Sequence, residues 1–221
     1  TLFRDLPYNI NNPIRSFYLD NKNTLWIGTK GNGLICLHNY DIATNTYKSS
    51  GQYHTANSFL KDNSVYTIVP SKKNILWIGS EKGINYYSYK ENAIKNLDIT
   101  IEGKPIQYVH SICEFNDSTL WIATVGEGII KARLSGDPDN PVVDSEKLLL
   151  FDDGRITSNY FFTTYKENDS IIWFGNRGYG AYKINNFTED ISVFTFDEND
   201  NNQTLNDIFS ILKNNDGYWF G

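Results

Sequence analysis

Few residue patterns in this chain could bind a metal ion or carry out catalysis. The stretch DENDNNQTLNDI begins like a calcium-binding loop at Asp197, but Asn202 and Ile208 stand where such a loop needs glycine and glutamate. No nucleophile, base and orienting group can be assembled from the sequence, whereas a carboxylate pair for glycoside cleavage stays open. The histidines lack the spacing of metal ligands: His38, His54 and His110. We therefore expect no metal ion and no cofactor.

The two cysteines, Cys36 and Cys113, each lie within a short apolar run. One interpretation is a disulfide or a reactive thiol. We favour the other, in which each cysteine is a small buried core residue, because free cysteine packs like a small hydrophobic side chain.

Carboxamide side chains recur four residues before a Ser or Thr. An amide both donates and accepts hydrogen bonds, so a ring of amides could bind sugar hydroxyls. Asn also commonly caps the turn that enters a strand. We favour the turn interpretation, because a feature present in every repeat is typical of architecture. The five residues are Asn12, Asn63, Gln107, Asn159 and Asn206.

Residues that differ from one repeat to the next are better candidates for ligand binding, since specificity requires asymmetry. Aromatic faces stack on sugar rings, and Arg or Lys pairs with uronate or sulfate groups. For each residue taken singly, an ordinary solvated loop position is the simpler interpretation. The ligand-binding candidates are Asn32, Lys82, Tyr108, Glu127, Tyr160, Arg177 and Tyr179.

The elements that must position these residues are repeats marked by tryptophan. A Ser or Thr precedes each of the first four tryptophans by ten residues and the fifth by nine, and a Gly or Ala follows each by two. Spacings of 51, 44, 52 and 46 residues are typical of a repeated supersecondary unit. The tryptophans are Trp26, Trp77, Trp121, Trp173 and Trp219.

Each repeat predicts four short strands. A hydroxyl-bearing strand such as VYTIVP is followed by a polar turn, the tryptophan strand, a glycine turn, a third strand and a more variable fourth. Four strands per repeat are typical of one β-propeller blade. The predicted fold class is therefore all-β, a β-propeller of four-stranded antiparallel blades, with each tryptophan packed between neighbouring blades.

The repeats divide the chain into segments of a single partial propeller over residues 1–221. We expect an open arc, and hence a piece of a longer protein, because about four and a half blades do not complete a ring. The segments are an outer strand of a preceding blade at 1–10, blades at 11–58, 59–103, 104–154 and 155–203, and a half blade at 204–221.

The composition is that of a globular β protein. Of the 221 residues, 15% are aromatic, which favours strands, and the net charge is −6. An acidic chain disfavours non-specific nucleic-acid binding, which needs a basic face. No apolar run approaches the roughly 20 residues that cross a bilayer.

The order of motifs resembles a known repeat. The stretches NNPIRSFYLDNKNTLWIGTKGNGLICL and DNSVYTIVPSKKNILWIGSEKGINYY are similar to the two-component regulator propeller repeat. The resemblance covers essentially the whole chain, with departures such as Ala123 in place of the usual glycine. It is specific for the propeller repeat and much less specific for any ligand.

The resemblance implies a seven-bladed propeller in the periplasmic sensor region of a hybrid two-component histidine kinase. In that family the propellers are followed by a small β-sandwich and a membrane helix, and they are associated with sensing oligosaccharides. The implied partners are an oligosaccharide, the remaining blades and β-sandwich of the same parent chain, and a second copy of the receptor. No nucleic acid is expected to contact this segment.

Three functional hypotheses follow. The leading one is a non-catalytic sensor module that recognises an oligosaccharide and controls carbohydrate-utilisation genes through the parent protein. The second is a scaffold that mainly dimerises the receptor without binding the ligand. The third is a propeller lyase or hydrolase, although no sequence feature requires it.

Overall fold

The computed structural model describes β-strands and turns, and no α-helix occurs among the described residues. No helix in the part of the chain that the structure describes could therefore span a membrane. The chain divides into two compact units, unit 1 at Thr1–Asp98 and unit 2 at Ile99–Gly221. The described residues are 12–41, 43–44, 46–149, 156–195 and 206–221.

Unit 1 contains two four-stranded antiparallel sheets, blade 1 and blade 2, in which the strands follow chain order. Blade 1 consists of β1 (Ile14–Leu19), β2 (Thr24–Thr29), β3 (Leu34–Asp41) and β4 (Thr46–Tyr53). Blade 2 consists of β5 (Val65–Pro70), β6 (Ile75–Ser80), β7 (Gly83–Ser88) and β8 (Ala93–Leu97).

Unit 2 begins with a short hairpin, continues with two four-stranded sheets in the same order and ends with a two-stranded half blade. The hairpin is β9 (Thr100–Ile101) and β10 (Lys104–Pro105). Blade 3 consists of β11 (Val109–Asn116), β12 (Thr119–Thr124), β13 (Ile129–Asp137) and β14 (Asn140–Leu149). Blade 4 consists of β15 (Phe161–Lys166), β16 (Ile171–Asn176), β17 (Ala181–Asn185) and β18 (Ile191–Phe194). The half blade consists of β19 (Ile211–Asn214) and β20 (Gly217–Phe220).

The predicted fold class is confirmed, because every complete sheet is antiparallel, has four strands and follows chain order. Each four-stranded sheet and the half blade lie within one predicted segment, whereas the hairpin β9–β10 spans the predicted boundary between residues 103 and 104. The predicted outer strand at 1–10, and the start of the loop that resembles a calcium site, lie outside the described residues. The hairpin β9–β10 is absent from the predicted strands. Its turn at Glu102 and Gly103 has φ values of 52° and 76°, the left-handed conformation of a two-residue hairpin turn.

The strand register explains why a hydroxyl and a small residue recur together. The first strand of each blade contains an irregularity, and the hydroxyl residue after it pairs with the small residue of the second strand, as Thr163 pairs with Gly175. A Cβ on Gly175 would lie 2.4 Å from the carbonyl oxygen of Ile208. Glycine is required there because the segment that leads into the next sheet approaches closely. The other pairs are Ser16 with Gly28, Thr67 with Gly79 and Ser111 with Ala123.

Three tryptophans lie between consecutive sheets of one unit. Each contacts aromatic rings of the following sheet at centroid distances of 4.6 to 6.3 Å. Replacing a tryptophan buried in this way by alanine typically costs about 3–5 kcal/mol. The ring partners are Tyr87 and Tyr89 for Trp26, Phe174 for Trp121, and Tyr218 and Phe220 for Trp173.

The other two tryptophans differ from each other. Trp77 is fully buried, and its ring contacts Tyr86 of its own blade. Trp219 is 62% exposed, whereas the sequence predicts that it packs between blades. Among the described residues, the half blade that carries Trp219 has two strands, and no described sheet covers the Trp219 indole.

Apolar clusters fill the space between blades 1 and 2 and between blades 3 and 4. Cys36 belongs to the first cluster, and Cys113 packs against the second. Both thiols are free, and burial raises the pKa of Cys36 to about 11 and that of Cys113 to about 12. Cys36 is therefore a buried core residue, as predicted, whereas Cys113 is only partly buried and packs against its cluster. A thiol with a raised pKa is a poor nucleophile.

The indole N–H groups of the inter-sheet tryptophans donate to polar side chains. A buried donor left without a partner would cost about 1–3 kcal/mol, so these bonds are part of the packing. The acceptors are Asp20 Oδ2 for Trp26 at 3.0 Å, Asn186 Oδ1 for Trp121 at 2.8 Å and Glu167 Oε2 for Trp173 at 2.7 Å.

Glu167 joins blade 4 to the half blade. Its Oε1 lies 3.3 Å from Lys213 Nζ, while its Oε2 accepts the Trp173 bond. Burial raises the pKa of Glu167, but hydrogen bonds from Tyr218, Trp173 and Lys213 and the charge of Lys183 outweigh burial and lower the pKa to about 2. The ionised carboxylate therefore stabilises this junction.

We expect Glu167→Gln to remove a pH-dependent part of the stability. Because the folded pKa lies below the ordinary value of 4.5, the contribution is fully present above that value and is lost as the pH falls towards 2. Urea unfolding of the whole chain should show the variant less stable by about 1–2 kcal/mol at pH 7, with the difference shrinking through this window. A difference that stays constant from pH 7 to pH 3 would contradict this account.

Candidate functional site

The turns between second and third strands lie beside the connections that enter the first strands. In unit 2, Val125 N donates to the Tyr108 carbonyl at 3.1 Å, and Val125 also forms an antiparallel bridge with Tyr160. Arg177 N donates to the Tyr160 carbonyl at 3.1 Å. Adjacent backbone segments thus run in the order Tyr108, Val125, Tyr160, Arg177. With about 4.8 Å between neighbouring strands, the two tyrosines are about 10 Å apart along this row.

Large aromatic side chains are exposed along this row. Tyr108 is 40% exposed, Tyr160 51% and Tyr179, in the same turn as Arg177, 48%. We call these three tyrosines and Arg177 the aromatic rim. The structure therefore brings four of the seven ligand-binding candidates to one edge of unit 2, where ring faces and a guanidinium group are open to solvent.

A second set of aromatic residues follows two positions further along the inner strands. The His110 and Phe162 rings are 5.0 Å apart between centroids, and the Phe162 and Phe209 rings are 4.9 Å apart, both edge to face. Phe162 and Phe209 are not among the ligand-binding residues predicted from the sequence. Their signal was present, because each directly precedes the hydroxyl residue of its repeat, as His110 does.

Tyr108 has an unusual backbone conformation. Its φ is 48°, which is rare for a bulky residue and costs of order 1–3 kcal/mol. The conformation is held from both sides, because the Tyr108 carbonyl accepts from Val125 and the preceding Gln107 N donates to Glu127 Oε2 at 2.8 Å. Burial raises the pKa of Glu127 more than this bond lowers it. Glu127, selected as a ligand residue, thus supports the chain that leads into Tyr108.

The turn that carries Arg177 and Tyr179 follows a buried amide. Asn176 is fully buried, and neither its Nδ2 nor its Oδ1 has a hydrogen-bond partner among the described residues. In the other blades a hydroxyl at this position donates to a glycine carbonyl of the turn, as Thr124 Oγ1 does to Gly128 at 2.8 Å. The turn of blade 4 therefore lacks a side-chain bond that the equivalent turns possess.

The recurring carboxamide residues hold neighbouring turns mainly through their main chain. The carbonyl of Asn63 accepts from the two glycines of the blade 1 turn at 2.9 and 2.8 Å, and Asn159 and Asn206 accept from the turns of blades 3 and 4. The Asn63 side chain accepts from Thr55 N at 2.9 Å. The Asn12 side chain donates to Asn32 Oδ1 at 2.5 Å. These contacts favour the architectural interpretation over a sugar-binding ring.

The two remaining candidates lie in unit 1. Asn32 accepts the bond from Asn12, and Lys82 Nζ lies 3.6 Å from Asp62 Oδ2. Both polar groups are thus engaged within unit 1. Within the described ranges, no group of three or more His, Cys, Asp or Glu side chains is arranged to hold a metal ion.

The chain is similar to known propeller proteins. A family model, two component regulator propeller, matches residues 10–31 and 60–82. The curated protein Histidine kinase P4 of Formosa agariphila is 23% identical over 196 residues, which are 84% of this chain and 13% of that protein. The chain therefore spans a small part of this relative.

Solved structures show the same fold. The extracellular domain of the hybrid two component system BT4673 from B. thetaiotaomicron matches with a TM-score of 0.74 and 21% identity, over 95% of this chain and 28% of that chain. The extracellular domain of the system BT3049 from the same organism matches with a TM-score of 0.68 and 19% identity, over 99% and 33%. This chain thus spans about a third or less of each structure.

We expect Tyr108→Gly to be less destabilising than Tyr160→Gly. Both changes add chain entropy to the unfolded state and so lower the stability. Tyr108→Gly also releases backbone strain, because glycine adopts positive φ without steric cost, whereas Tyr160→Gly releases none. Urea unfolding of the whole chain should show Tyr108→Gly more stable than Tyr160→Gly by about 1–2 kcal/mol. Equal losses would show that Tyr108 is unstrained.

We expect Asn176→Thr to stabilise the chain. The threonine hydroxyl would donate to the Gly180 carbonyl, as Thr124 does to Gly128, and would remove an unpaired buried amide, a gain of about 1–2 kcal/mol. The reciprocal change, Thr124→Asn, should destabilise blade 3 by a similar amount in thermal unfolding of the whole chain. A loss of stability in both variants would contradict the account of Asn176.

Proposed function

We propose that this chain is part of the extracytoplasmic sensor region of a hybrid two-component histidine kinase and that its aromatic rim recognises an oligosaccharide. The observation that carries the proposal is the row of exposed tyrosines, Tyr108, Tyr160 and Tyr179, beside Arg177. The segment itself is non-catalytic. Through the kinase of the parent protein it controls genes for carbohydrate use.

The chemistry of the aromatic rim suits a sugar chain. An aromatic face offers apolar contact to the C–H groups of a sugar ring, while the tyrosine hydroxyl stays available for hydrogen bonds. The spacing set by adjacent strands presents successive rings along one line, which suits consecutive sugar units. Arg177 adds a planar guanidinium that can pair with a carboxylate or sulfate substituent.

The comparisons support the sensor role. The matched relatives are a histidine kinase and extracellular domains of hybrid two-component systems. In this proposal the chain lies in the periplasm, outside the inner membrane.

Exposed apolar residues support a proposal about protein partners. On blade 1, Phe17 and Leu19 are 76% and 56% exposed, and on the half blade, Leu212 and Trp219 are both 62% exposed. Apolar sheet faces of this kind are normally covered by a neighbouring sheet. We expect further blades of the same parent chain to cover them, with a β-sandwich and a second receptor copy as additional partners. The same exposed apolar faces favour the alternative function, a scaffold that mainly dimerises the receptor.

We expect Tyr160→Ala to weaken glycan binding. Calorimetry of the full ectodomain against a panel of neutral and acidic oligosaccharides should identify a ligand. The variant should bind it about fivefold more weakly, since loss of one aromatic contact costs on the order of 1 kcal/mol. Phe187→Ala is the matched control, because Phe187 is 71% exposed in unit 2 but lies outside the aromatic rim.

Three outcomes would count against the proposal. Binding by no member of the panel, or equal loss in both variants, would remove the aromatic rim as the recognition site. Unchanged signalling by a receptor that carries Tyr160→Ala would favour the scaffold. Turnover of a glycan by the purified ectodomain would show that the segment is catalytic.

A further inference from the structure

A cleft of about 190 Å³ opens between blades 3 and 4 of unit 2. It is lined by side chains of β12, β13 and β14 and by Glu189, from the turn between β17 and β18. It contains no residue of the aromatic rim. The lining side chains that matter for its chemistry are Thr119, Lys131, Arg133, Ser145, Lys147 and Glu189.

The register of blade 3 places the cations on one sheet face. Lys131 pairs directly with Lys147, and Arg133 pairs with Ser145 in the next row. Thr119 pairs with Arg133 from the other side. Residues two apart on a strand share a face, so these two rows stand side by side. The face is the one that looks towards blade 4, because Lys131 Nζ lies over the Trp121 ring, which contacts blade 4.

The charges in these two rows do not balance. Two ammonium groups directly opposite each other repel, and Glu189 is the carboxylate that offsets this cost. Its Oε1 lies 3.2 Å from Lys131 Nζ, and its Oε2 contacts Lys147 Nζ. One carboxylate therefore pairs with two ammonium groups. These three side chains together carry a net charge of +1, without Arg133.

Arg133 adds a further charge. Arg133 is exposed, and its guanidinium group has no hydrogen bond or ion pair with any described residue. The other acidic lining residue, Glu146, pairs with Ala132 and so projects from the opposite face of the sheet. The cation-bearing face thus carries excess positive charge within a chain whose net charge is −6.

We propose that this cleft binds an oxyanion, a sulfate or carboxylate group, with Arg133 as its principal ligand. A guanidinium binds such a group through two parallel N–H donors, a geometry that an ammonium cannot supply. Ser145 and Thr119, which pair with Arg133 from the two neighbouring strands, add hydroxyl donors. The oxyanion is either a free inorganic ion or the charged substituent of a saccharide, since both present the same oxygens.

The proposal is tested by titrating the whole chain with sodium sulfate, against sodium chloride at matched ionic strength, and with glucose 6-sulfate, against glucose. NMR shifts and calorimetry report the binding. We expect both sulfated probes to bind and Arg133→Gln to weaken each at least tenfold. Arg15→Gln, which removes the same charge from an exposed residue of unit 1, should bind like the wild type.

The outcomes distinguish a free ion from a saccharide substituent, and the cleft from the aromatic rim. Tighter binding of glucose 6-sulfate than of sulfate identifies a saccharide substituent, and equal binding identifies a free ion. Tyr160→Ala should leave sulfate binding unchanged, because Tyr160 lies outside the cleft. Failure of the oligosaccharide screen would therefore count against the aromatic rim and not against the oxyanion site. Absence of binding by both probes, or equal weakening in Arg133→Gln and Arg15→Gln, would overturn the proposal.

Discussion

The burial of an indole against the next sheet is the interaction on which the other features depend. A four-stranded blade cannot cover both of its apolar faces alone, so its stability depends on contact with a neighbour. Trp26, Trp121 and Trp173 supply that contact, and each indole N–H is satisfied by a nearby side chain. Where no described sheet packs against the indole, as at Trp219, the same side chain is exposed. The packing therefore belongs to the pair of blades and not to the single blade.

This packing leaves the turns at one edge free to vary. Their backbone is held by repeated bonds, such as those from the glycine turns to the carbonyls of Asn63 and Asn159. Side chains on the turns and on the connections beside them can then differ without loss of the fold, and in unit 2 they provide three exposed tyrosines and Arg177. At Tyr108 the positive φ, and at Asn176 the unpaired amide, are departures from the repeat that lie at or directly beside this edge. Such departures concentrate where a protein binds other molecules.

Much of the fold could be predicted because its signal is local and repeated. The distance from hydroxyl to tryptophan sets the register of the first two strands, and the glycine turns set the third. The hairpin β9–β10 escaped prediction because its strands are two residues long and do not recur. The candidate site was predicted in part. Tyr108, Tyr160 and Tyr179 were selected as variable aromatics, whereas Phe162 and Phe209 were not, although each directly precedes the hydroxyl residue of its repeat. Glu127 was selected for its charge, but its bond to Gln107 depends on an approach between two turns that no spacing reveals.

The amino-acid sequence by itself determined the strand order, the blade repeat and the identity of the packing residues. The alternation of apolar and polar residues indicates which face of each strand is buried, and the spacing of the tryptophans gives the repeat. The tertiary structure decided which side chains meet. The row from Tyr108 to Arg177, the missing partner of Asn176, and the sharing of Glu189 by two lysines all arise between segments far apart in the chain. Their energies depend on distances of a few ångströms, and such distances are fixed only when neighbouring sheets pack.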